Sequence, residues 1–581
     1  MVGIEPTRGA VRAPQGRTHV SVTAPRLAAA PRAPGWIGGL ASTDHKRLGL
    51  HMMALSFLFF IGGGVMALLM RVQLAQPQMH FVSYSSYEAL FTMHGSTMIY
   101  LFVTPMAIAL SVYPVPLQIG ASTISAPRWA LAGFWIWLSG GVVMQSGWLT
   151  ETGPGRAGWF SYVPLSNGAW TPGIGQDMWT LGVVLAALGL TMIAACVLLT
   201  VMRRRAPGMA LLRMPVYTWT GLVSVLMVVG AFPVLIVVMC LLYAERLGAH
   251  IFTGFQGSID YQDLFWFFGH PVVYVMFFPY LGAAAEAIAV NAHKRWFGYK
   301  AFVASMMGFS ALSMAVWSHH MFTTGGVSNQ YFAFTSTLLV VPAGIEYFDV
   351  IATLIGGAIF LRTSMLFALT FFVQFLIGGL TGIFVASPVL DYQVHQSYFL
   401  VGHFHYTLFA GSVFGFFAGV YHWFPKVTGA RLREGLGKLH WGLLVVGTNM
   451  TFGPMFFLGE KGMTRRIAQY PEDPQWGTLN LIETIGAGII ALAILVFLAN
   501  VVVSLRRRVV AGDDPWLGHS LEWATSSPPP RHNFDRPLPP IRSYAPLLDW
   551  REEAMELHGP EMATVPAGTG GLGPDPEGRD G

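Results

Sequence analysis

Apolar runs long enough to cross a bilayer recur along this chain, and that recurrence limits the folds open to it. A hydrocarbon core about 30 Å thick takes about 20 helical residues. Runs of that kind fall near 48–70, 92–118, 129–149, 177–202, 218–242, 262–290, 301–322, 333–360, 364–388, 399–423, 440–458 and 478–505. Inside hydrocarbon, each backbone donor and acceptor must be satisfied within the protein. The expected fold is therefore an all-α membrane protein with twelve transmembrane helices. Composition agrees, since only 11% of residues are charged, against about a quarter in soluble domains.

The twelve-helix domain is expected over 41–508. Residues 1–40 are rich in Pro, Arg and Ala and lack the apolar centre of a secretory signal; they read as a disordered cytoplasmic tail. Residues 509–581 carry Pro528-Pro529-Pro530 and a Gly/Pro-rich end. They read as an extended cytoplasmic tail without a core of its own, able to dock on the bundle or on a partner subunit.

Lys and Arg set the orientation. They gather in the even-numbered loops, as in Arg203, Arg204 and Arg205, Lys294 and Arg295, and Arg431 and Arg433, and beside both tails at Lys46, Arg47 and Arg506. The positive-inside rule makes both termini cytoplasmic. This loop-bound charge reports topology rather than nucleic-acid binding. One outer cluster, Lys461, Arg465 and Arg466, breaks the bias. Adjacent arginines hold carboxylates well, and haem propionates are carboxylates. Cys196 and Cys240 lie in separate apolar runs, so neither a disulfide framework nor a thiolate metal site is expected.

Six histidines fall inside the runs. His403 and His405 are two apart, about 200° of helical rotation, so their imidazoles leave opposite sides of one helix. Under the assigned orientation His94, His270, His403 and His405 lie early in inward spans. His319 and His320 lie late in an outward one. All six thus share the outer half, and intramembrane ionisable groups lean functional. Two histidines could close one haem iron, one could hold a second haem open on its other face, and three could hold copper. Tyr274 follows His270 by four residues and shares its helical face. There it could give an electron and a proton together.

With these residues in place, the chain resembles subunit I of the haem–copper oxygen reductases, the cytochrome c oxidase family, over about 40–535. The resemblance is carried by the runs Ser42 to Lys46, Pro116 to Ala121, Trp266 to Tyr274, Trp317 to Phe322, Gly402 to Tyr406, Arg465-Arg466 and Leu521 to Trp523, and is closest to the A-type branch. It implies the subunit I bundle, with His94 and His405 on a low-spin haem and His403 on a high-spin haem, of haem A type. It implies copper B on His270, His319 and His320, with Tyr274 cross-linked to His270, and propionates on Arg465 and Arg466. It places His395 at a magnesium site whose usual aspartate is Gln396 here. It also implies a bacterial-type inner membrane, a subunit II with the electron-entry copper, a subunit III, and cytochrome c as donor.

The chain departs from that pattern in its proton paths. Thr123 stands where an aspartate is usual, Val272 where a glutamate is usual, and Glu346 where a lysine is usual. Valine carries no proton, whereas a buried carboxyl can be neutral and relay one. The expectation is a route to Tyr274 through Glu286 and Glu346, those two lying close together, with weak or absent pumping. The function expected is four-electron reduction of O2 to water. A nitric oxide reductase or a quinol-oxidising variant on the same scaffold are the alternatives. A transporter would leave six histidines at one depth idle.

Overall fold

The computed structural model describes residues 39–535, 538 and 541–559. The proposed N-terminal tail lies almost wholly outside these, as does the end of the chain from 560. From Ser42 onward the chain forms one unit. It is helical, and β-pairing among the described residues is confined to two isolated bridges.

Among the described residues, ten helices are long and apolar enough to cross a membrane. In chain order these are α1 (His45–Gln73), α2 (Tyr84–Gln118), α4 (Ile174–Arg203), α5 (Val216–Arg246), α6 (Gly254–Asn291), α8 (Asn329–Leu354), α9 (Thr363–Val385), α10 (Tyr398–Thr428), α11 (Glu434–Glu460) and α12 (Pro474–Arg507). The other two expected spans correspond to α3 (Pro127–Ser146) and α7 (Tyr299–Ser313). Arg128, Gln145, three tryptophans and three glycines dilute the hydropathy of α3. The helix α7 is only 15 residues long, because the chain leaves it at Ser313 and enters a tight turn over Trp317–Met321. The twelve-span count therefore becomes ten by length and hydropathy.

Two irregularities bear on function. The helix α6 breaks after Val275. Pro279 has no N–H to offer the Val275 carbonyl. Ser224 donates to that carbonyl at 3.0 Å, and Ser412 to the Met276 carbonyl at 3.4 Å. Freed groups at membrane depth are thus satisfied by neighbouring helices. Wider π-helical turns run over Thr97–Val103 in α2 and over His405–Phe414 in α10. Such turns recur at functional sites, and each here follows a candidate ligand.

The C-terminal segment docks on the bundle rather than extending away from it. Trp523 is fully buried, and a further helix, α13 (Pro546–His558), follows it. Asn533 amide nitrogen donates to the Ala121 carbonyl at 2.6 Å, and its Oδ1 accepts from Lys46 at 2.8 Å. Lys426 donates to the Asp513 and Thr525 carbonyls. Buried Arg551 pairs with buried Asp514. Proline-rich composition sets local stiffness, but Trp523, Leu521 and Ile541 supply apolar anchors that close this end of the bundle.

Candidate metal centre

A cavity of about 1040 Å³ lies within the bundle, at the top of the usual range for a ligand site. All six histidines line it, with Tyr274, Arg465 and Arg466.

The helix α10 presents its two histidines to different neighbours, as their spacing requires. The ring of His403 turns to α9, where its Nδ1 meets the Gly378 carbonyl at 3.1 Å and Thr381 Oγ1 at 3.2 Å. The ring of His405 stacks on Phe452 of α11, with centroids 4.3 Å apart, and His94 is its electrostatic neighbour. His405 Nδ1 meets the Val401 carbonyl at 2.8 Å, and His94 Nδ1 the Gly63 carbonyl at 2.8 Å. A carbonyl can only accept, so Nδ1 carries the proton in all three rings. Each Nε2 then keeps its lone pair for a metal, with its ring fixed from behind.

The second group lines the same cavity as His403. Ligand atoms of His270, His319 and His320 all lie within 4.8 Å of one another. His319 Nε2 is 3.1 Å from His320 Nε2, which is 3.4 Å from His270 Nδ1. The geometry is set by residues the sequence reading overlooked. Asp263 of α6 accepts from Trp317 Nε1 at 2.9 Å and Ser318 Oγ at 2.7 Å, pinning the tight turn. Asp263 precedes His270 by seven residues, two helical turns on one face, a periodicity that could have revealed it. Ser336 of α8 holds His319 Nδ1 at 2.7 Å, and Trp266 stacks on His320 at 3.9 Å. His270 Nε2 is buried without a partner. The Tyr274 ring lies 4.7 Å from that of His270.

Arg465 and Arg466 sit in the loop after α11. Their guanidinium groups lie over Phe160 and Phe404, and over Phe91 and Phe160. Neither pairs with a carboxylate among the described residues. Burial pushes Arg465 down to about 10 and Arg466 down to about 9. Two cations on the cavity wall without an anion fit a ligand that brings carboxylates. The residues present therefore fit haems with propionates and a copper held by three imidazoles.

Other expected site residues are distributed differently. His395 Nδ1 pairs with Asp391 at 2.9 Å, a carboxylate that the sequence reading did not single out, while the Gln396 amide is 3.5 Å from His395 Nε2. Glu286 and Glu346, expected to lie close together, have different neighbours. Glu286 accepts from Tyr217 N at 3.2 Å. Tyr217 lies in the first turn of α5, whose N–H groups lack partners within the helix and draw a carboxylate. The other neighbours of Glu286 are Gln118 and Glu522. Glu346 instead has Asp349 one helical turn on, both on the buried face of α8.

Against known proteins, the family model for cytochrome C and quinol oxidase polypeptide I matches residues 47–489. Cytochrome c oxidase subunit 1 of Corynebacterium efficiens is 46% identical over 527 residues, covering 90% of each chain. The putative cytochrome c oxidase subunit 1-beta of Streptomyces coelicolor is 45% identical over 525 residues, again covering 90% of each. A solved heme-copper terminal oxidase dimer shares the fold at a TM-score of 0.68 and 20% identity, covering 80% of this chain and 84% of that chain.

Proposed function

This chain belongs to the cytochrome c and quinol oxidase polypeptide I family, and from that premise we propose that it is the catalytic subunit of a respiratory terminal oxidase reducing O2 to water. The observation that carries the reading is the converging trio of His270, His319 and His320, which lines one cavity with His403 and Tyr274. His94 and His405 would hold a low-spin haem, His403 a high-spin haem, both of haem A type, and the trio copper B. When bound, these groups supply electron transfer and the site where O2 is reduced.

The chain's own residues position and protonate. Backbone carbonyls behind His94, His403 and His405 fix the tautomers. Arg465 and Arg466 bind propionates and so orient the macrocycles. Tyr274 gives a proton at its hydroxyl, and the unpartnered Nε2 of His270 beside it supports a covalent link between the rings. Glu346 returns the proton to Tyr274. Val272, at the place of the usual glutamate, offers no second carrier, so pumping is weak or absent.

The trio contains no carboxylate, which favours copper over the non-haem iron of a nitric oxide reductase. Cys196 and Cys240 are both unpaired, one buried and one exposed, so electron-entry copper belongs to a subunit II. Cytochrome c is the proposed donor and subunit III a further partner. The proposed location is a bacterial inner membrane with both termini cytoplasmic, supported by the Lys and Arg distribution. Oxygen uptake by the purified complex with reduced cytochrome c tests the reading. Four electrons consumed per O2 are expected, and nitric oxide reduction without oxygen uptake would overturn it.

A further inference from the structure

We infer that Asp349 is where protons enter the route to Tyr274, passing them to Glu346. The inference rests on the oxidase reading above. Asp349 follows Glu346 by three residues on α8, so the two carboxyls share one helix face. That face, with Pro342, Val350 and Thr353, is the buried one. Glu346 is 2% exposed and its Oε1 has no partner; Asp349 is 3% exposed and its Oδ2 has none. Neither forms an ion pair among the described residues. A carboxylate buried for structural reasons is normally fully bonded, and one at membrane depth leans functional.

The two ends of this face open in the required directions. At one end Asp349 Oδ1 lies against Gly298, where an added Cβ would come within 2.1 Å of it. Gly298 has φ +66 and is half-exposed, in the loop between α6 and α7. Only glycine suits both that backbone and that space. The same loop is tied to the end of α8. Phe297 N donates to Thr353 Oγ1 at 2.9 Å, and Lys294 Nζ donates to the Ala352 and Ile355 carbonyls at 2.7 and 2.6 Å. Asp349 therefore meets the outside world through a glycine at a loop. At the other end Ala343, three residues before Glu346 on the same face of α8, lines the cavity that Tyr274 also lines.

The tyrosines beside this face, and Lys294, are already engaged. Tyr347 hydroxyl donates to the Phe372 carbonyl at 2.8 Å, and Tyr299 hydroxyl to the Met214 carbonyl at 2.7 Å. Lys294 spends its donors on carbonyls. The two carboxyls remain as carriers. A proton from water adds to Asp349, Asp349 protonates Glu346, and Glu346 protonates the Tyr274 phenolate. Each carboxyl is refilled from the loop side, so the net change is one proton moved from water to Tyr274.

The test uses D349N in the intact complex, with a small weak acid, formate, as rescuer. Oxygen uptake is expected to fall by about 10²-fold, as for loss of a positioned proton carrier, with haem and copper content unchanged. Formate should then restore much of the rate, which it cannot do for a packing defect. A second readout is independent of turnover: a hydrophobic carbodiimide, which reacts with neutral carboxyl groups, should label Asp349 as detected by peptide mass spectrometry. Wild-type turnover in D349N, a slow variant that formate does not revive, or no label at Asp349 would overturn the inference. A slow E346Q beside an unimpaired D349N would place the entry elsewhere and leave the oxidase reading standing. A wild-type complex that consumes no oxygen would sink that reading itself.

Discussion

The half of the bundle that holds the histidines and the half below it, toward the 291–298 loop, share helices but follow different constraints. In the upper half four of the six imidazoles are backed from behind, His94, His405 and His403 by the Gly63, Val401 and Gly378 carbonyls and His319 by the Ser336 hydroxyl. Along the proton paths the usual aspartate, glutamate and lysine are Thr123, Val272 and Glu346, and the buried acids Glu346 and Asp349 have unpartnered oxygens. Metal ligation depends on atom type, distance and direction together. Proton supply asks only for a group that can lose and regain a proton within reach of the next. The second requirement has many solutions, so its residues can be rewritten while the first set stands.

The comparison breaks first if the upper half tolerates change. His319→Ala should lose copper and essentially all oxygen uptake while keeping both haems, as read by metal analysis and haem absorbance. Tyr274→Phe should keep all metals and slow turnover by about 10²–10⁴-fold, since its proton has no substitute at that face. Glu346→Gln should cost about 10²-fold in oxygen uptake. Glu346→Lys sharpens the contrast. If the lower half needs only a proton carrier, this variant should stay within about tenfold of wild type, far above Glu346→Gln.

A smaller effect has opposite signs in two states. Arg465 and Arg466, pushed down to about 10 and about 9 by burial, remain charged and unpaired at neutral pH without a bound anion. Their burial penalty is complete below about pH 9 and eases as pH rises through their folded values. Protein stripped of haem should therefore gain thermal stability between pH 9 and 10. Arg465→Met should raise the melting temperature of stripped protein by a few degrees and weaken haem retention in loaded protein. Least affected should be Thr381→Val. It removes one of two contacts at His403 Nδ1, the Gly378 carbonyl remains, and a few-fold change in oxygen uptake is expected.

What sequence reveals follows the same division. The opposed faces of His403 and His405 come from helical rotation alone, and the common depth of six histidines from hydropathy and charge. The trio's convergence depends on a short 3-10 turn at Trp317–Met321, which the α-helical periodicity does not announce. Its anchor Asp263 was findable two turns before His270. Asp349 was findable one turn beyond Glu346, by following the buried face of α8. The partner of Glu286 was not, because the free N–H groups at the start of α5 meet it only through tertiary packing. The same holds for the C-terminal segment, where Trp523 and Asn533 bury against distant helices despite a proline-rich composition.

The central claim is that imidazoles from three membrane helices and the turn over Trp317–Met321 hold two haems and one copper around a single cavity. Pyridine haemochrome and copper analysis of the purified complex, repeated on His319→Ala, tests it most directly. The account predicts two haems and one copper per chain, with copper alone lost in the variant. Iron in place of copper, or a variant that keeps its copper, would contradict it.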